Sequence, residues 1–230
     1  MILETPFSFR PKATMTGPVT PRPPGAAMAS SHAMNDDTAA MWDRQAATFD
    51  EEPDHGLRDP AVKQAWTALL SAVLPAAPAV VADLGCGTGS LSVLLARAGH
   101  QVQGLDTSRR MLGEARRKAQ RSEVSVTLHH GDAARPPLPA ACFDVVLARH
   151  VLWAMPDPST ALARWVELLR PGGRLVLIEG RWMTGAGLSA GHCTALVRQH
   201  RQEADVRTLD DPALWGKIIT DERYLVLSRR

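Results

Sequence analysis

Apolar residues in the first half of the chain recur at helical spacing between Asp59 and Pro75. Val62, Trp66, Leu69, Leu70 and Val73 share one face, and "LPAAP" ends the run. Asp59 followed by Pro60 marks the start, an N-cap acid and then proline at the first helical position. The period then changes. Val80 to Leu84 is a short continuous apolar run, as a strand buried on both faces requires. Ser90 to Ala98 is helical and stops at Gly99; "HQVQGLD" reads as a strand ending at Asp106; Ser108 to Arg121 reads as the next helix. Val124 to Asp132 alternates like a strand, and Phe143 to Arg149 is an apolar central one. Asp157 and Pro158 repeat the acid-proline start and open a helix through Leu169, halted by the "PGG" of Pro171 to Gly173. "RLVLIEG" predicts a fifth strand, Ser189 to Glu203 a helix, and "RYLVLS" a last strand. Strands alternating with helices predict an α/β fold: a doubly wound, mostly parallel sheet with helices on both faces.

Composition narrows the function without choosing it. The 230 residues divide into a proline- and alanine-rich leader over 1–34, a helical segment over 35–75 and one α/β domain over 76–230. The leader has no secretory core and is expected to be disordered. A formal net charge of +2 is too small to argue for nucleic acid, and the basic run Arg109 to Arg121 reads as a solvated helix face. No apolar run approaches the ~20 residues needed to cross a bilayer. Cys86, Cys142 and Cys193 lie far apart without metal-ligand spacing, which fits a reducing cytoplasm rather than a disulfide framework.

The chemistry is expected where the first strand turns. Asp83 is followed by Gly85-Cys86-Gly87-Thr88-Gly89 and then a helix. In such sheets ligands lie beyond the carboxyl ends of the strands, and glycine lets backbone approach a ligand at positive φ. Asp106 closes the second strand about 20 residues on, where a carboxylate can accept both hydroxyls of a ribose. A dinucleotide site calls for G-x-G-x-x-G. Here the spacing is G-x-G-x-G, with Ser90 at the third dinucleotide glycine and the acid Asp83 where a pyrophosphate would be repelled. A ligand with ribose, adenine, carboxylate and ammonium but no phosphate fits better, and S-adenosyl-L-methionine is such a ligand.

With "VADLGCGTG", "GLD", "GDAARPPLPAACFDVVLARHVLW" and "LRPGGRLVLIE" in this order, the chain resembles class I S-adenosylmethionine-dependent methyltransferases. The likeness is greatest to the small-molecule branch related to ubiquinone and menaquinone biosynthesis enzymes. The resemblance implies a Rossmann-like, seven-stranded sheet whose last strand is antiparallel. It implies that Asp83, Gly85, Cys86, Gly87, Thr88 and Gly89 meet the methionine end, that Asp106 with Thr107 meets the ribose, and that Asp132 with Ala133 meets the adenine. It also implies that the segment before the domain folds over the cofactor, with Trp42, Phe49 and His55 as its cover. Phe49-Asp50 stands where that branch often has a Tyr-Asp pair, so a phenolic hydroxyl is absent.

Arg149, His150 and Trp153, in "ARHVLWAMPDP", follow the fourth strand and are expected near the transferred methyl group. His150 is the candidate general base, because its ordinary pKa lies near neutrality; a structural histidine at a strand end is the alternative. Glu179, ending the fifth strand, faces the same mouth and either binds substrate or satisfies a loop amide. Nothing beside the fourth strand provides an acid cluster for a metal. The expectation is a cytoplasmic enzyme, monomer or homodimer, that methylates an oxygen or nitrogen of a small molecule, with no nucleic-acid or membrane partner. A non-catalytic cofactor binder is the alternative; a dinucleotide oxidoreductase is disfavoured by the loop spacing.

Overall fold

The computed structural model describes residues 38–229; the expected leader over 1–34 and the start of the segment after it lie outside them. A helix over 38–45 (α1), α2 (Pro53–Gly56) and α3 (Pro60–Val73) precede the sheet. The domain then runs β1 (Val80–Leu84), α4 (Ser90–Arg97), β2 (Gln101–Asp106), α5 (Arg109–Arg121), β3 (Thr127–His130) and β4 (Phe143–Arg149). It continues with α6 (Pro158–Glu167), β5 (Leu169–Arg181), α7 (Ala190–Arg198), β6 (Asp205–Thr208), α8 (Pro212–Trp215) and β7 (Glu222–Ser228). The seven strands lie in the order β3-β2-β1-β4-β5-β7-β6. All pair in parallel except β7, which is antiparallel to both β5 and β6.

Local chemistry accounts for the boundaries. The Asp59 carboxylate accepts from the amides of Ala61 and Val62, with Pro60 at the first position of α3. Asp157-Pro158 opens α6 in the same way and Asp211-Pro212 opens α8. The apolar face expected for α3 is the one buried: Val62, Trp66, Leu69, Leu70 and Val73. That face joins Val81, Val145, Leu147, Val176 and Ile178 in one core layer, with Trp215 of α8. Ala82, Leu84, Val146, Ala148, Leu175 and Leu177 point the other way, onto α6 and α7. The parity of each strand thus builds two cores from one sheet.

Several elements differ from the sequence expectation: the helix expected over Ser189 to Glu203 is limited to Ala190–Arg198, and the short α8 was not read from the residues. The strand expected over Val124 to Asp132 is limited to Thr127–His130, because an edge strand pairs on one side only. β5 begins at Leu169 and passes through the "PGG" expected to separate helix from strand; Phe143 pairs Leu169 and Val145 pairs Arg174, so the extra residues are absorbed as a bulge. β6, with the sequence DVRT exposed throughout, was not read from the residues, having neither apolar alternation nor length.

Trp66 is fully buried and its indole nitrogen donates to the Leu214 carbonyl at 2.7 Å, tying α3 to α8. Trp66→Ala should lower the unfolding free energy by about 3–5 kcal/mol. Urea denaturation checks this, and a loss under about 1 kcal/mol would mean that α3 is not part of the cooperative core.

Candidate active site

The order of strands reverses between β1 and β4, and the region beyond their carboxyl ends is the place where sheets of this kind take ligands. The glycine turn sits in it. Gly85, Gly87 and Gly89 all have positive φ (67°, 54° and 76°). A Cβ on Gly85 would lie 2.4 Å from Val151 Cγ2, and one on Gly89 would lie 2.8 Å from Ala115 Cβ. Those two glycines are therefore required by packing as well as by conformation. Gly87 differs: a Cβ there would meet only Phe49, at 3.6 Å.

Asp106 locks the loop to the end of β2. One carboxylate oxygen accepts from the Gly87 amide at 2.8 Å, the other from the Ser108 amide at 2.8 Å. Burial raises its pKa, while these two amides hold it down. The helix cap itself is Ser108, whose hydroxyl accepts from the Met111 amide. Asp83 is buried beneath the loop, accepts from the Ser92 hydroxyl, and is pushed by burial to about 6. The Cys86 thiol packs where a Gly104 Cβ would be 2.9 Å away, and burial raises its pKa well above the ordinary value; this is a filler, not a nucleophile. His130 donates a ring nitrogen to the Thr107 carbonyl at 3.1 Å. Asp132 accepts from the Ala134 amide in a turn, and the buried Ala133 gives its carbonyl to the Trp165 indole at 2.7 Å.

The N-terminal segment closes over this loop. Phe49 stacks on His55 (centroids 4.3 Å apart, planes 10° apart) and meets Trp42 edge-on at 6.2 Å. Burial lowers the His55 pKa. Two acids make the attachment: Asp43, which the sequence did not single out, and Asp50, which it placed only beside Phe49. Asp43 accepts from the Ser108 hydroxyl and the Arg110 amide at the start of α5, where a negative charge is favoured. Asp50 accepts from the Thr88 hydroxyl and pairs with Lys118 at 2.8 Å. Lys118 also donates to Thr88 and Ser90, so one half-buried ammonium joins α5, the glycine turn and the N-terminal segment. Burial lowers its pKa. The basic run it belongs to is otherwise a solvated face, as expected. The signal for Lys118 was its spacing: it lies three residues from Ala115 and seven from Met111, both buried.

Beyond β4 the expected residues separate. Arg149 donates to the Asp54 carbonyl of the N-terminal segment at 2.5 Å and lies 5.1 Å over the Trp66 ring, with the carboxylates of Asp54, Asp83 and Asp50 as its nearby charges. His150 and Trp153 stay together, the Trp153 indole donating to the His150 carbonyl at 2.9 Å. Glu179 accepts from the Val151 and Leu152 amides at 3.0 and 2.7 Å, and its other oxygen is buried with no hydrogen-bond partner. It serves the loop amides. Burial pushes its pKa up to about 8. Trp182 and Arg223, neither singled out in the sequence, complete the wall beside His150. Among the described residues no group of three or more His, Cys, Asp or Glu is arranged to hold a metal ion.

Residues 82–177, from β1 into β5, match the family model described as a methyltransferase domain. Ubiquinone biosynthesis O-methyltransferase of Aromatoleum aromaticum is 40% identical over 96 residues, 41% of each chain. Magnesium protoporphyrin IX methyltransferase from Synechocystis PCC 6803, solved with bound S-adenosylmethionine, has a TM-score of 0.58. It is 27% identical, over 73% of this chain and 78% of that one. The [4+2]-cyclase SpnF shares the fold, with a TM-score of 0.64 at 20% identity over 72% and 80% of the two chains. The chain spans about half the length of the curated relatives it matches. The segment carrying the glycine turn and Asp106 is thus a methyltransferase domain of the class I, S-adenosylmethionine-dependent kind.

Two outcomes follow from this geometry. Replacing Lys118 by Met should leave the Asp50 carboxylate without its cation and release the N-terminal segment. Amide exchange across residues 38–56 should accelerate at least about tenfold; unchanged exchange would show that the pair does not hold the segment. Glu179 has a folded-state pKa raised from 4.5 to about 8, so its stabilising share is complete below about 4.5 and is lost as pH rises through about 8. The neighbouring Cys193 and Tyr224 have raised pKa values too and offer no compensating charge. Glu179→Gln should therefore flatten the fall in stability over that window, measured by denaturation at several pH values; an unchanged slope would contradict an ionising Glu179.

Proposed function

We propose that the protein is an S-adenosylmethionine-dependent methyltransferase that methylates an oxygen or nitrogen of a small molecule. The observation that carries this is the Gly87 amide bonded to the Asp106 carboxylate across a turn whose open glycine faces only Phe49. That cradle fits the cofactor. Each Asp106 oxygen engages one amide and keeps a lone pair for a ribose hydroxyl. Asp132 and Ala133 would lie along the adenine edge, and the turn with Asp83 beneath it would take the methionine end. Ser90, at the place of the dinucleotide glycine, is engaged by Lys118, which supports a phosphate-free ligand.

When bound, the cofactor supplies a methyl group already activated by a sulfonium. The chain's part is to align the acceptor and keep water out. Residues 38–57, with Trp42, Phe49 and His55, form the lid in this reading. The wall of His150, Trp153 and Trp182 forms the acceptor side. A small acceptor in the cytoplasm, without nucleic acid, agrees with the near-neutral charge and three free cysteines. No helix among the described residues is long and apolar enough to cross a membrane. We assign a monomer or homodimer. The shared fold of a [4+2]-cyclase keeps a second reading in view, a cofactor-binding protein that transfers no methyl group.

Asp106→Ala should weaken S-adenosylmethionine binding by ~1.5–3 kcal/mol through loss of charge-assisted bonds. Calorimetry on a variant shown by circular dichroism to be folded checks this, and an unchanged dissociation constant would remove Asp106 from the ribose site.

A further inference from the structure

His150 is held in an unusual place. It follows the last residue of β4 with a left-handed φ of 58°. Its amide donates to the Ile178 carbonyl at 2.8 Å. The ring lies edge-on to Trp182 at 5.2 Å and tilted against Trp215 at 6.1 Å. Arg223 lies over both of these indoles, its guanidinium 5.1 Å from the Trp182 centroid and 5.4 Å from that of Trp215. In this setting Nδ1 is buried and has no hydrogen-bond partner.

That orphaned nitrogen decides what the histidine can do. A neutral imidazole carries one proton, and the partner of one nitrogen fixes the state of the other. A base working through Nε2 needs its proton parked on Nδ1, where an acceptor holds it, as the acid does in a Ser-His-Asp triad. Here a proton on Nδ1 would be a sealed donor with nothing to accept it, the costlier arrangement. A bare lone pair there, among indoles, loses less. The proton then belongs on Nε2.

We propose, resting on the methyltransferase reading, that His150 donates from Nε2 to an acceptor already ionised at a conjugated hydroxyl, a phenolate or enolate. The charges around the ring agree. Arg149 on its own strand and Arg223 on β7 are cations, His55 approaches from the N-terminal segment, and Asp221 pairs with Arg223 at 2.8 Å. Burial first, and then these cations, hold the His150 pKa well below the ordinary value, so it stays neutral. Trp153 and Trp182, edge to face at 5.2 Å, give a flat acceptor a π-rich wall. The acceptor's oxygen lone pair forms the new O–CH₃ bond while the S–CH₃ bond breaks with its electrons left on sulfur. The negative and positive charges cancel and no proton has to leave, so no base is needed.

Two measurements on the full chain test this. Long-range ¹⁵N–¹H correlation on the ligand-free protein, with His150→Gln to assign the signal, should show the Nε2–H tautomer; an Nδ1–H tautomer overturns the proposal. 4-Nitrophenol, whose anion absorbs visible light, is then titrated with pH in the presence of S-adenosylhomocysteine. Its acid dissociation should strengthen by ~10-fold or more in the presence of the protein. His150→Gln, which keeps a donor, should hold most of that gain, and His150→Ala should lose it. No gain, or a weakening, overturns the proposal. The tautomer is read without cofactor, so a wrong cofactor assignment and a wrong histidine assignment give different results.

Discussion

The site depends on one carboxylate. Asp106 ends β2 and binds the amide of Gly87 in the turn after β1 and the amide of Ser108 at the start of α5. Without that bridge the turn would be joined to β2 by the amide of Cys86 on the Leu105 carbonyl alone. With it, the glycine turn and the start of α5 are fixed to the carboxyl end of β2. The carboxylate is buried, and its two amides offset part of the desolvation that raises its pKa.

Other features arrange themselves around this corner. Ser108 passes the connection on to Asp43, and Thr88 passes it to Asp50 and Lys118. The N-terminal segment is therefore attached by charge to the two elements that Asp106 joins, while its aromatic face lies over Gly87. Glu179 plays a parallel part on β5. It satisfies the amides of the turn after β4 and so holds His150 and Trp153 at the mouth. Carboxylates on backbone amides position both halves of the site, a rigid way to orient loops that carry chemistry.

Much of this was legible in the chain. Asp59-Pro60 and Asp157-Pro158 marked helix starts because acid and proline each answer a specific need at a helix N-terminus. The 3.6-residue spacing from Val62 to Val73 named the buried face, and the glycine spacing marked the tight turn between β1 and α4. What the sequence did not disclose needed the third dimension. β6 is four exposed residues that depend on β7 for pairing. Lys118 looked like one more solvated cation until the glycine turn was placed above it. Trp182, Trp215 and Arg223 reach His150 from distant parts of the chain, and no local pattern announces that meeting. Arg149 meets Trp66 of α3 and the Asp54 carbonyl of the N-terminal segment, contacts that its position in the sequence did not announce.

Calorimetry of the wild-type chain against S-adenosylmethionine, S-adenosylhomocysteine and NAD tests the central claim most directly. Both sulfur ligands should bind, with dissociation constants on the order of micromolar to a few hundred micromolar, and NAD should give no saturable heat. Saturable NAD binding with neither sulfur ligand bound would contradict it.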